Sequence, residues 1–253
     1  MRRQLVKWLE RRRDRAALRA GMQVLRPRAP ERDVVPAYVV TYNRLSMTRA
    51  LVERIARLPG LRPIVVDNAS TYPPLLEWYR ACDVEVRLLA DNVGHRSPWL
   101  VGIVDETRAP HYVVSDCDLD LSACPDDVLA RLREGFTRYP GRNKVGLSLE
   151  LDDLPPDLPE LPAVLAQERP YWARPVEGGF FDAPVDTTFA LYRRRGSTYR
   201  ASNSLRTDRP YTARHLPWYA TPATMTDEER FYRETARRDI ATILRQGGDS
   251  ART

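Results

Sequence analysis

Asp116 and Asp118 end the apolar run His111-Tyr112-Val113-Val114-Ser115 and stand one residue apart. At the end of an extended segment, residues i and i+2 face the same side, so both carboxylates can reach one divalent cation. Oxygen ligands of this kind suit Mg²⁺ or Mn²⁺, and such a cation in turn binds a diphosphate and neutralises its charge. Two other chemistries use similar runs. Asp116, Asp118, Asp120 and Asp127 match four positions of an EF-hand loop, but Leu121 stands where the sharp turn needs glycine. A phosphatase with an aspartyl nucleophile would carry the pair on its first strand and balance the phosphoryl charge with a later lysine. Lys144 is the only lysine after Lys7.

The elements that must position this pair follow from periodicity. Apolar runs at 37–41, 63–66, 84–89, 111–115 and 145–151 predict strands. Between them lie helical spacings: 47–58, with Leu51, Ile55 and Leu58 on one face and Ser46 as its cap; about 75–82; and 126–139, with Val128, Leu129, Leu132 and Phe136 inside. Strand alternating with helix predicts a parallel sheet covered on both faces, with ligands at the carboxyl ends of the strands. Three of those ends are polar: Thr41-Tyr42-Asn43-Arg44, Asp67-Asn68 and Asp116-Cys117-Asp118. Beyond about residue 152 the pattern breaks into a Pro-rich segment. A helix over 161–172, a strand over 187–192 headed by Asp186, and a helix from the capping box Thr226-Asp227-Glu228-Glu229 to about 245 are expected there.

Composition narrows the function classes. The chain has 253 residues, 43% apolar and 29% charged, which is ordinary for a globular protein. No stretch approaches the ~20 consecutive apolar residues of a membrane-spanning helix. Three cysteines, Cys82, Cys117 and Cys124, fit a reducing compartment rather than a disulfide framework. The formal charge of +6 is uneven, because residues 1–33 carry 11 Lys/Arg and 4 Asp/Glu and the remainder is nearly neutral. A nucleic-acid-binding face, which needs cations clustered on the folded body, is therefore not expected. The leader reads as a helix over 3–20, with Leu5, Trp8 and Leu9 opposite Arg11, Arg12, Arg13 and Arg15. Such a helix either lies on an anionic bilayer or packs on the domain. The start Met1-Arg2-Arg3 lacks the apolar core of a secretory signal, so the expected location is cytoplasmic, peripheral at the inner face of the membrane if the leader binds lipid.

The order of Tyr42-Asn43-Arg44, Asp67-Asn68, Asn92-Val93-Gly94 and Asp116-Cys117-Asp118 resembles the GT-A glycosyltransferases, and within them the family 2 type. The resemblance covers residues 34–150 in order and spacing, and extends more loosely to about 235. It implies a Rossmann-like α/β fold, a mostly parallel central sheet flanked by helices, with a smaller acceptor-side region. The implied organisation is a basic helix and linker (1–33), a nucleotide-sugar-binding half (34–150), an acceptor-binding half with a C-terminal helix (151–246) and a mobile tail (247–253). The implied activity is transfer of a sugar from a nucleotide-diphosphate-sugar donor to a hydroxyl of a saccharide or lipid-linked acceptor, a glycan or glycolipid of the cell envelope, with Mn²⁺ or Mg²⁺ as cofactor.

Carried over residue by residue, the resemblance places Thr41, Tyr42, Asn43 and Arg44 around the nucleotide. Asp67 would accept from base or ribose with Asn68 beside it, and Gly94, His95 and Arg96 would meet the nucleotide from the 92–99 loop. Asp116 would contact ribose or metal, Asp118 would be the principal metal ligand, and His215 a further one. Trp218 and Tyr219 would face the acceptor. The family's usual Glu-Asp base near a helix start is not evident. Asp186 is the first candidate to take the acceptor proton and Asp153 the second, ahead of Glu177 and Asp182. Two rivals stand beside this reading: an inactive nucleotide-sugar-binding scaffold, and sugar-nucleotide synthesis. The latter wants a Gly-rich loop after the first strand, and Asn43-Arg44-Leu45-Ser46 has no glycine.

Overall fold

The computed structural model describes residues 14–195, 199, 202–220 and 225–236. Its strands are β1 (Gln23–Leu25), β2 (Val35–Thr41), β3 (Leu61–Asp67), β4 (Glu85–Leu88), β5 (His111–Asp116), β6 (Leu119–Asp120), β7 (Lys144–Gly146), β8 (Ser148–Leu149), β9 (Pro175–Val176), β10 (Phe180–Phe181), β11 (Ala190–Arg193), β12 (Ser204–Thr207) and β13 (Thr212–His215). Residues 14–20 are helical (α1). The other helices are α2 (Leu45–Arg57), α3 (Pro73–Ala81), α4 (Ser97–Leu100), α5 (Val128–Arg138), α6 (Leu161–Glu168) and α7 (Asp227–Thr235). Two short 3₁₀ turns, Ile103–Glu106 and Leu216–Tyr219, matter below.

β2 is buried along its whole length, as a central strand covered on both faces must be. It pairs in parallel with β3 on one side and β5 on the other. Pro36 is tolerated there for a simple reason. The Val35 N–H donates to Gly60 on the β3 side, so the Pro36 nitrogen faces β5, where pairing begins only at Ala37. Alternate residues of β2 feed two cores: Val35, Ala37 and Val39 one, Tyr38 and Val40 the other. α2 covers the first with Leu51, Val52 and Ile55, and α5 with Val128, Leu129, Leu132 and Phe136. The second core is closed by the 99–104 segment, with Leu18 of α1 packed against it.

The large sheet has ten strands in the order β1-β4-β3-β2-β5-β11-β7-β12-β10-β9. The run β4-β3-β2-β5 is parallel, as the strand–helix alternation predicts. From β11 onward the pairing is mixed, because β11 enters from the Pro-rich half and pairs antiparallel with both β5 and β7. The sheet therefore runs through both sides of residue 150. The strand expected over 145–151 is divided: β7 stays in the large sheet, while β8 joins a second, three-stranded sheet β6-β13-β8. No described helix is long and apolar enough to cross a membrane.

The described part of the leader packs on the domain. Arg15 pairs with Asp105 at 2.5 Å and donates to the Trp99 carbonyl, and Arg19 pairs with Glu106. Leu5, Trp8, Leu9 and Arg11–Arg13, on which the bilayer alternative rests, lie outside the described residues, as does the 247–253 tail.

Candidate functional site

The carboxyl ends of β2 and β5 open into a cleft of about 290 Å³. β2 and its loop contribute Thr41, Tyr42 and Arg44, and the β3 end contributes Asn68. Gly94 and His95 come from the loop after β4, and Asp116 and Asp118 from β5 and its extension. The Pro-rich half closes the opposite wall with Gln167 of α6, Asp186 to Thr188, His215 and Trp218, and α7 adds Tyr232.

The small sheet brings His215 to the aspartates. β13 pairs antiparallel with β6, placing His215 opposite Leu119, and the Leu216 N–H donates to the Asp118 carbonyl at 2.9 Å. His215 Nε2 then stands 3.5 Å from Asp118 Oδ2. The same Oδ2 accepts from Arg44 Nη1 at 2.7 Å. Asp118 Oδ1 is buried and has no hydrogen-bond partner outside its own residue, and His215 Nδ1 is likewise buried and unpartnered. On Asp116, the Thr187 hydroxyl donates to Oδ2 at 2.5 Å.

The two carboxyls are driven apart in acidity. Burial, and then the charge of Asp118, push Asp116 well above the usual carboxylate range. Burial acts on Asp118 in the same direction, but His215 and Arg44 outweigh it and hold that carboxyl well below the range. Burial also lowers His95, against the pull of Asp186, which leaves its imidazole neutral at pH 7.

The fixed charges of the wall limit what the cleft can accept. Arg44 is the sole lysine or arginine among the described lining residues. Its guanidinium is committed to Asp118 and, at 3.2 Å, to Glu229. With Asp186 also on the wall, the fixed charge does not favour a diphosphate on its own; a divalent cation is the natural complement. Among the described residues no three His, Cys, Asp or Glu side chains form a protein-only cage. The donor set present is the free Oδ1 of Asp118, the neighbouring Asp116 and an imidazole. It fits Mg²⁺ or Mn²⁺ shared between one or two carboxylates and a ligand's phosphates.

Several sequence expectations are corrected here. Asp67 does not line the cleft: it is buried, with Oδ1 accepting from the Ser70 N–H and Oδ2 from the Tyr79 hydroxyl. Asn43 is a latch. Its backbone is left-handed at φ 51, its Oδ1 accepts from the Thr71 and Tyr72 N–H groups, and its Nδ2 donates to Thr235. Arg96 does not line the cleft; its Nε donates to His95 Nε2 at 3.3 Å and its guanidinium lies over the Tyr199 ring. Asp153 is exposed outside the cleft, bound by Arg214 and by the Tyr219 hydroxyl at 2.5 Å each. Neither Asp153 nor Tyr219 lines the cleft. Asp182 pairs with Arg142, and Glu177 is exposed elsewhere. Ser46 is not the cap of α2: Arg44 holds that position, and the Ser46 N–H and hydroxyl both donate to Glu228 of α7.

Thr187, Thr188, Gln167 and Tyr232 also line the wall, with Glu229 behind it, and none of them stands out as a site residue in the sequence. For Thr187 no local signal exists. For α7 one did: the capping box is real, with Thr226 Oγ1 accepting from the Glu229 N–H at 3.2 Å, and residues i and i+3 on that helix share a face. Lys144, the cation an aspartyl phosphatase would need, is 1% exposed and does not line the cleft.

No protein-family model matches this chain, and no curated protein matches it either. Among solved structures, it is similar to the mannosyltransferase PcManGT from Pyrobaculum calidifontis in complex with GDP-Man and Mn²⁺. The identity is 17% over 81% of this chain and 66% of that one, with a TM-score of 0.44. It is also similar to glucosyl-3-phosphoglycerate synthase from Mycobacterium tuberculosis in complex with phosphoglyceric acid, at 14% identity over 64% of this chain and 57% of that one, with a TM-score of 0.40. This chain thus spans less than two thirds of the length of either protein.

Proposed function

We propose that the cleft is the donor site of a GT-A glycosyltransferase, moving a sugar from a nucleoside diphosphate to a hydroxyl of a saccharide or lipid-linked acceptor. The observation that carries this reading is the buried, unpartnered Oδ1 of Asp118, set at the strand ends beside Asp116 and His215. Burying a polar atom without a partner costs about 1–3 kcal/mol, more when it is charged, so such an atom at a cleft wall points to a missing ligand.

Asp118, with its neighbour Asp116, would hold Mn²⁺ or Mg²⁺ together with the donor's phosphates, His215 standing beside them. When bound, that cation supplies positive charge to the departing diphosphate. Arg44 fixes Asp118 through Oδ2 and leaves Oδ1 open. Thr41, Tyr42, Asn68, Gly94 and His95 surround the nucleotide from the β2, β3 and β4 ends. Trp218, held edge-on to His215 at 4.7 Å between ring centres, offers an aromatic face to a sugar. Asp186, exposed on the opposite wall of the cleft, would take the acceptor hydroxyl proton.

A thermal-shift panel of UDP-, GDP- and dTDP-sugars with and without Mn²⁺ tests the reading, followed by slow donor hydrolysis. A Mn²⁺-dependent shift with hydrolysis supports the transferase, and a shift without hydrolysis points to an inactive nucleotide-sugar binder. No shift with any donor removes the assignment. Asp186→Asn is expected to cut turnover while leaving donor affinity within about twofold, because the group acts on the acceptor proton and not on the donor.

A further inference from the structure

We propose that Glu229 of α7 is a positioning residue for the cation site, acting through Arg44 to keep one oxygen of Asp118 open. The inference rests on the donor-site reading above. Arg44 is buried, and its guanidinium is split between two acids: Nη1 donates to Asp118 Oδ2 at 2.7 Å and Nη2 to Glu229 Oε2 at 3.2 Å. Its face lies 3.8 Å from the centre of the Tyr232 ring. The side chains of Arg44 and Glu229 are 5% and 13% exposed, so solvent competes little for either contact.

A guanidinium beside a lone carboxylate prefers two parallel hydrogen bonds, one to each oxygen. In the structure Arg44 gives Nη2 to Glu229 instead, and both its own Nε and Asp118 Oδ1 are buried without a partner. Glu229 is itself fixed. Its Oε1 accepts from Arg233 at 3.0 Å, and its backbone N–H is bound by the Thr226 cap. α7 as a whole is anchored on the β2–α2 junction, where Glu228 accepts from Ser46 at 2.8 and 2.9 Å and the Tyr42 hydroxyl donates to the Thr235 carbonyl. Released from Glu229, Arg44 would close on both oxygens of Asp118 and compete with a cation for them.

The test measures Mn²⁺ uptake by the full chain in the presence of inorganic pyrophosphate, read from the electron paramagnetic resonance signal of free Mn²⁺. Glu229→Gln is expected to weaken Mn²⁺ binding about tenfold, and less than about twofold in an Arg44→Met background, the non-additivity expected of residues acting in series. Glu229→Asp keeps the charge but is one methylene too short to hold Nη2, and is expected to behave like Glu229→Gln. Equal effects in both backgrounds, or wild-type affinity for Glu229→Asp, would reduce Glu229 to a distant charge and overturn the proposal. If the unaltered protein takes up no Mn²⁺ with pyrophosphate, the donor-site reading itself falls, and the positioning role with it.

Discussion

Replacing Glu168 with alanine would strand a buried charge beneath the wall that α6 gives to the cleft. Arg206 Nη1 donates to Glu168 Oε2 at 2.8 Å, and the two side chains are only 4% and 5% exposed. Arg206 also donates from Nε to the Pro184 carbonyl and lies 4.2 Å from the centre of the Tyr171 ring. Those contacts keep the guanidinium in place when its partner is gone. Breaking a buried pair from one side costs about 3–5 kcal/mol, because the remaining charge is desolvated without compensation. In a domain of this size each kcal/mol moves the melting temperature by about 2–4 °C, so Glu168→Ala should melt roughly 6–20 °C lower. Removing both charges is a different matter. Glu168→Leu with Arg206→Met should lie within about 1 kcal/mol of the parent, since apolar replacements of buried pairs are often neutral. Urea titration followed by far-ultraviolet circular dichroism gives both numbers, with the slope checked for constancy. A loss below about 1 kcal/mol for Glu168→Ala would refute the reasoning, since an unpaired buried arginine should not be that cheap.

His111 provides a pH signature. Its ring stacks on Phe136 at 5.1 Å, and burial, with Arg133 and Arg193 nearby, lowers its pKa from 6.5 to about 4. The unfolded chain takes up this proton as pH falls through 6.5 while the native state refuses it until about 4, so stability drops across that window. His111→Phe should keep the stack and remove this part of the slope, and parallel pH–stability curves for the two proteins would contradict the assignment. Gly135 lies where α5 meets β7, and a Cβ there would come within 2.9 Å of both Val145 methyl carbons. Gly135→Ala should therefore cost about 1–3 kcal/mol by overpacking, despite its gain in helix propensity, and a stabilised variant in a urea titration would show that the helix can shift freely.

The strand–helix alternation up to residue 139 was legible because each element carries its own periodicity. Continuous burial of β2 and the Leu51–Ile55 face of α2 are local facts, and the polar strand ends follow from them. What the sequence hid is long-range pairing. Nothing near Ala190 says that β11 will enter between β5 and β7, and nothing near Thr212 says that β13 will carry His215 to Asp118. Residue type also misled where a polar group serves the backbone. Asp67 and Asn43 look like ligand groups in sequence, yet Asp67 holds Ser70 and Tyr79, and Asn43 holds Thr71, Tyr72 and Thr235. Ser46 reads as a cap by type, but the α2 N-terminus is closed by Glu228, 182 residues away in the chain. Arg44, expected beside a nucleotide, does line the cleft, and its guanidinium pairs there with Asp118 and Glu229, partners nothing in the sequence indicated.

The most direct measurement compares calorimetric binding of UDP and GDP to the parent protein and to Asp118→Asn, each with and without Mn²⁺. At least one nucleotide should bind the parent far more tightly with Mn²⁺ than without it, and the asparagine variant should lose that dependence. Mn²⁺-dependent affinity that survives the substitution unchanged would contradict the role assigned to Asp118.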